Sequence, residues 1–108
     1  MNPLTVNHDT LDDTIQNHDV LVIDLWASWC VPCQRFGPVF DAMAQSTPEV
    51  VFAKFQVDAS AENQDRFESM GYTTVPTLMG FRGGTLITST SGFLGKADLT
   101  AVLDSLRS

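Results

Sequence analysis

The chain has 108 residues, 44% hydrophobic and 18% charged, a size and balance that fit one folded domain and exclude a disordered or fibrous polymer. Thirteen acidic against six basic side chains leave a net charge of −7, which repels phosphate backbones and anionic lipid surfaces and argues against nucleic-acid binding. No run approaches the ~20 apolar residues that cross a bilayer, and the first ten residues carry neither a signal-like apolar core nor a transit-like set of arginines. A single domain over residues 1–108, away from membranes and in the cytoplasm, is the expectation. Two cysteines in such a compartment are too few for a disulfide scaffold, so a close pair points to redox catalysis or metal binding.

In chain order, Leu4 to Val6 reads as a short strand. Asp9 or Thr10 can cap a helix to about Asn17, with Leu11 and Ile15 one turn apart and the acidic Asp12 and Asp13 in its favourable first turn. Val20 to Trp26 is β-branched and almost continuously apolar, as in a central strand covered on both faces; Asp24 is the exception. A loop from Ala27 to Pro32 precedes a helix to about Ser46, which carries Phe36, Val39, Phe40 and Met43 at spacings of three and four and is expected to kink at Pro38. Val50 to Val57 is a second strand, joined to the first by a parallel crossover. Ser60 caps a short helix to about Met70. Thr77 to Arg82 and Thr85 to Thr90 flank Gly83-Gly84, a two-residue hairpin signal, so those strands are antiparallel. Leu99, Val102, Leu103 and Leu106 then give a last helix one apolar stripe. The order βαβαβαββα predicts an α/β fold with a central mixed sheet and helices on both faces.

The chemistry concentrates at Cys30-Val31-Pro32-Cys33, which follows a buried strand and opens a helix. Unpaired amides and the positive end of the helix dipole favour thiolate over thiol, which makes Cys30 the nucleophile. Two intervening residues let Cys33 reach back to the same sulfur and resolve a mixed disulfide. Pro32 suits the first helical turn, where its missing donor costs nothing. The rival is half of a zinc site, but structural zinc takes four ligands and only His8 and His18 remain, both in a polar region and read as solvated surface residues. No metal is expected.

Trp29-Cys30-Val31-Pro32-Cys33 resembles the signature of the thioredoxin family. Asp24-Leu25-Trp26-Ala27 before it, Pro38 after it, Lys54 in the next strand, Val75-Pro76-Thr77 and Gly92 are similar in order to the residues thioredoxins carry there, so the resemblance spans the whole chain. It implies the thioredoxin fold and a thiol–disulfide oxidoreductase that reduces protein disulfides through Cys30 and Cys33. It also implies that Asp24 lies behind Cys33 and accepts its proton, and that Lys54 lies near that carboxylate. Burial, which the apolar neighbours of Asp24 already suggest, raises a carboxyl pKa towards neutrality and suits it to this task.

By the same resemblance Val75-Pro76 is cis and faces the cysteines, against a base rate of about one X-Pro bond in twenty, and the backbone before it pairs with an extended client. Trp29, Val31, Pro32, Val75, Pro76 and Gly92 then form the client-facing rim, Gly92 keeping the surface low, while Trp26 reads as core packing. No bound cofactor is implied. Electrons are expected from NADPH through a thioredoxin reductase, the partners being that reductase and disulfide-containing client proteins, and the protein itself being a monomer. Val31 where Gly is usual, Gln34 in place of a common Lys and Leu25 in place of a frequent Phe depart from the pattern. They keep two alternatives in view: an oxidase or isomerase of the same fold with a more oxidising potential, and a non-enzymatic binding module.

Overall fold

The β-branched run Val20–Trp26 is extended over its whole length as β2 and pairs on both edges, parallel with β3 (Val51–Gln56) and antiparallel with β4 (Thr77–Arg82). β1 (Leu4–Val6) adds in parallel beyond β3, and β5 (Thr85–Ser91) in antiparallel beyond β4, giving the order β1-β3-β2-β4-β5. The computed structural model describes residues 2–107.

Alternation along β2 divides the core into two layers, because successive side chains leave a strand on opposite faces. Leu21, Ile23 and Leu25 pack on one face with Leu11 and Ile15 of α1 (Leu11–Asn17) and Phe67 of α3 (Ala61–Ser69). Val22 packs on the other with Phe36, Phe40 and Ala44 of α2 (Val31–Ser46) and with Leu99, Val102, Leu103 and Leu106 of α4 (Lys96–Arg107). The predicted stripe of α4 is therefore its buried face, each side chain contributing about 1.5–3 kcal/mol through removal from water. Both expectations, a mixed sheet and helices on its two faces, hold.

Gly83 and Gly84 adopt φ values of +60° and +82°, the left-handed pair that a two-residue hairpin turn requires, and Arg82 pairs directly with Thr85. Ser60 caps α3 as expected, its hydroxyl accepting from the Asn63 N–H at 3.0 Å. The start of α1 differs from expectation. Thr10 holds the N-cap position but its side chain makes no cap bond. Instead Asn7 Oδ1 accepts from the N–H groups of Asp9 (2.8 Å) and Thr10 (3.1 Å), an Asx turn that orders the entry from one step earlier. β3 is shorter than its apolar run by one residue at each end, since Val57 opens a 3-10 turn, Val57–Ala59. Pro38 lies inside α2, which runs unbroken to Ser46.

Candidate active site

β2 delivers the chain to the C-terminal end of the central strand, and Ala27 to Cys30 turn it into α2. Cys30 occupies the N-cap with extended backbone, and its sulfur accepts the N–H of Cys33 at 3.1 Å. Val31 and Pro32 fill the first helical positions, so the proline's missing donor falls where no intrahelical bond is due. Cys30 and Cys33 are joined as a disulfide with their Cα atoms 5.2 Å apart. Both are buried and cluster with Ala27, against which Trp26 and Val75 pack. In the dithiol form the same N–H and the helix terminus favour a thiolate on Cys30.

Three chain segments meet beside the disulfide. Cys30 Sγ lies 3.7 Å from the Val75 carbonyl oxygen; the Val75-Pro76 bond is cis, and the Pro76 carbonyl accepts the Gly92 N–H at 3.1 Å. Trp29 is 71% exposed and Val31 is 55% exposed beside the buried sulfurs. Phe93, next to Gly92 in the chain, is 78% exposed, and the sequence reading passed over it. Its signal was there: a phenylalanine directly after a loop glycine, between β5 and α4, outside any apolar period.

A second feature missed from sequence anchors the loop before the cysteines. Asp58 Oδ1 accepts from the Ser28 N–H at 3.0 Å and from the Gln56 side chain at 3.1 Å, and the Ser28 hydroxyl donates to Asp58 Oδ2. These bonds hold the Asp58 carboxyl below the usual range, and the Gln34 side-chain amide adds a bond to the Ser28 carbonyl at 3.0 Å. Nothing in the spacing of residues 28 and 58 announces the pair, because only the pairing of β2 with β3 brings their following loops together.

Behind the disulfide, Asp24 is 1% exposed and its Oδ1 accepts no hydrogen bond. Burial pushes its pKa up to about 7; the Lys54 ammonium pulls against this shift and the Asp41 carboxylate adds to it. Lys54 stands opposite Asp24 in the β2–β3 register, as expected, but its Nζ pairs with Asp41 Oδ1 at 3.0 Å. A cleft of about 260 Å³ connects these groups to Cys33, lined also by Trp26, Gln34, Gly37 and Pro38. Trp26 is thus half-buried at the junction of cleft and disulfide, not part of the main core, because β2 is leaving the sheet at that point. His8 also departs from expectation: it is half-buried, its ring nitrogen 3.1 Å from Asn63 Oδ1 and its N–H donating to the same oxygen at 2.8 Å.

Of the residues singled out from sequence, Asp24, Trp26, Cys33, Pro38 and Lys54 line the cleft, and Cys30, Val75, Pro76 and Gly92 are linked by the contacts above. The thioredoxin family model matches residues 2–105. The chain belongs to the thioredoxin family. It is 35% identical over 99 residues to a putative thioredoxin 2 of Streptomyces coelicolor, covering 92% of this chain and 72% of that protein. It is likewise 35% identical over 102 residues to a thioredoxin of Allochromatium vinosum, covering 93% and 92%. Among solved structures, a thioredoxin variant from Halobacterium salinarum superposes with a TM-score of 0.85 at 34% identity, covering 97% of this chain and 90% of that one. Thioredoxin f from spinach chloroplast gives 0.87 at 25% identity, covering 99% and 95%.

With its Cys30–Cys33 pair this member of the family is a thiol–disulfide oxidoreductase. Thioredoxins work without a bound cofactor, and the family implies a reductase and disulfide-bearing proteins as partners. Among the described residues no helix is long and apolar enough to cross a membrane, and no group of three or more His, Cys, Asp or Glu could hold a metal ion.

Proposed function

We propose that this protein runs in the reducing direction on protein disulfides, with Cys30 as nucleophile, Cys33 as resolving thiol and Asp24 as proton acceptor. The Cys30 thiolate attacks one sulfur of a client disulfide, forming a Cys30–client bond and expelling the other client sulfur as a thiolate, which takes a proton from water. The Cys33 thiol then loses its proton to the Asp24 carboxylate and attacks Cys30 Sγ. The mixed disulfide breaks, the Cys30–Cys33 bond closes, and the second client sulfur leaves as a thiolate. Two electrons have passed to the client.

The observation that carries this assignment is the division of the pair: the Cys30 sulfur accepts the helix-terminal N–H of Cys33, whereas Cys33 alone lines the cleft that holds Asp24. Trp29, Val31, Pro32, Val75, Pro76 and Gly92 form the client rim in this reading, and Phe93 joins them. An extended client backbone lies along Val75 and Pro76 as an added strand. Lys54 and Trp26 support the cleft. A flavoprotein reductase drawing on NADPH restores the dithiol, and a cytoplasmic location goes with that reducing supply. The single five-stranded sheet supports one domain over residues 1–108, and we take that domain to work as a monomer.

Insulin reduction with Cys30→Ser and Cys33→Ser tests the roles. Cys30→Ser should be inactive, while Cys33→Ser should attack once and stall as a mixed disulfide visible by mass spectrometry. An adduct formed through Cys33 in the Cys30→Ser protein would reverse the assignment.

A further inference from the structure

Asp41 has no role in the mechanism above and Lys54 only supports the cleft, yet their pairing fixes where the Lys54 ammonium resides relative to Asp24. Asp24 and Lys54 are direct partners across β2 and β3, so both side chains leave the sheet on the α2 face. A lysine in that position has a buried carboxylate within its span and would be drawn to it, since an opposite charge relieves the desolvation of the ion. It is held elsewhere: Nζ sits 3.0 Å from Asp41 Oδ1. Cys33, Gly37 and Asp41 follow one another at intervals of four on α2 and line the same cleft. Gly37 lies directly beside the lysine head, since a Cβ there would stand 3.8 Å from Nζ, an ordinary contact.

We propose that Asp41 is a positioning residue for the resolving step: by holding the Lys54 ammonium at the mouth of the cleft, it leaves the Asp24 carboxylate without a close cation and therefore basic enough to take the Cys33 proton. The inference rests on the reading of Asp24 as that acceptor. The groups facing Asp24 are few. Lys54 comes from β3, Cys33 and Asp41 from α2, and Leu78 of β4, its partner on the other edge, is apolar. Trp26, Gln34, Gly37 and Pro38 line the cleft and do not titrate. Both charges act on Asp24 in the sense the proposal needs, since the Asp41 carboxylate raises its pKa directly and the Lys54 ammonium lowers it. Removing Asp41 takes away the first effect and strengthens the second. During the reaction the proton moves from Cys33 Sγ to an Asp24 oxygen and, once the new disulfide has closed, leaves through the cleft to water at the Asp41–Lys54 mouth.

The test is the titration of the Asp24 carboxyl carbon by NMR in the oxidised protein, where neither cysteine titrates, for wild type, Asp41→Asn, Lys54→Met and the double variant. Asp41 is partly exposed, so Asn is tolerated there. Asp41→Asn should lower the Asp24 midpoint by about one pH unit, and Lys54→Met should raise it. On the Lys54→Met background, Asp41→Asn should move it by less than half as much. An unmoved midpoint in Asp41→Asn, or equal shifts with and without Lys54, would overturn the proposal. Single-turnover release of a Cys30-linked client, followed against pH, supplies the reaction's side: Asp41→Asn should shift the profile to lower pH in step with the midpoint. If Asp24→Asn slows release and Asp41→Asn leaves the profile in place, the positioning role alone fails. If Asp24→Asn releases client as fast as wild type, the acceptor reading fails and carries this proposal with it.

Discussion

Gly92 donates its backbone N–H to the Pro76 carbonyl across 3.1 Å and does so at a φ of +108°. That one bond ties the loop after β5 to the segment that meets the Cys30 sulfur, and it depends on a conformation that L side chains rarely adopt. A Cβ at residue 92 would meet nothing within 4 Å, so the obstacle to substitution is the backbone angle and not space.

Gly92→Ala should therefore destabilise the fold by about 1–3 kcal/mol, the usual cost of holding a non-glycine residue in a sparsely populated region. If the loop relaxes instead, the bond to Pro76 is lost and Phe93 moves with it. Denaturant unfolding separates these outcomes from a neutral change, and KM for a protein disulfide should rise while the redox potential stays at the wild-type value. A variant with wild-type stability and KM would show that the loop does not depend on glycine.

Asp24→Asn tests the buried carboxyl through stability. The folded pKa is raised from 3.8 to about 7, so the folded protein binds more protons than the unfolded chain between those values. Stability then falls as pH rises across that window and levels off above about 7, with a total loss on the order of 4 kcal/mol at 1.36 kcal/mol per unit. Asn keeps the shape and has no charge to desolvate, so its curve should lack this fall and the gap between the proteins should widen from pH 4 to 7. Equilibrium unfolding at several pH values reads it directly. A constant gap would mean that Asp24 titrates as an exposed aspartate does.

Much of this architecture was legible because periodicity and punctuation agree. The unbroken apolarity of Val20 to Trp26 marked the central strand, and Gly83-Gly84 marked the hairpin. Cys30 to Cys33 declared its chemistry by standing between a strand and a helix, and Asp24 did so by being acidic among Ile23 and Leu25. What stayed hidden shares a physical cause. Ser28 with Asp58, and Lys54 with Asp41, are pairs of ordinary surface-type residues whose meaning comes only from register. The β2–β3 pairing sets Lys54 against Asp24, and the path of α2 over the sheet sets Asp41 above Lys54. Asn7 is a similar case: Asp9 and Thr10 are as good capping residues as it is, and the turn that selects Asn7 forms outside the helix.

Val31→Gly probes the clearest departure from the family pattern. Val31 is the first residue of α2, 55% exposed between the two sulfurs, so its side chain is available to a client and its backbone belongs to the ring that the disulfide closes. Two effects follow from one residue, and they change different quantities. A β-branched side chain restricts φ and ψ and lowers the entropy of the open dithiol form, which favours the closed disulfide and makes the potential more negative; glycine removes the restriction and should move the potential towards oxidising values. A stabilisation of about 1.4 kcal/mol would appear as about 30 mV for this two-electron couple. The side chain also adds apolar surface beside Trp29, and losing it should slow reaction with clients that cover the rim without altering the potential at all. Activity should survive in either case, because Cys30 still caps α2 and Cys33 still shares the cleft with Asp24. Titration of both proteins in one glutathione buffer reads the first effect, and rates on two unrelated protein disulfides read the second. A shifted potential with proportionate changes on both clients would assign the role of Val31 to the loop; an unchanged potential with a loss on one client would assign it to the rim. Identical potentials and identical rates would show that glycine and valine are equivalent at this position.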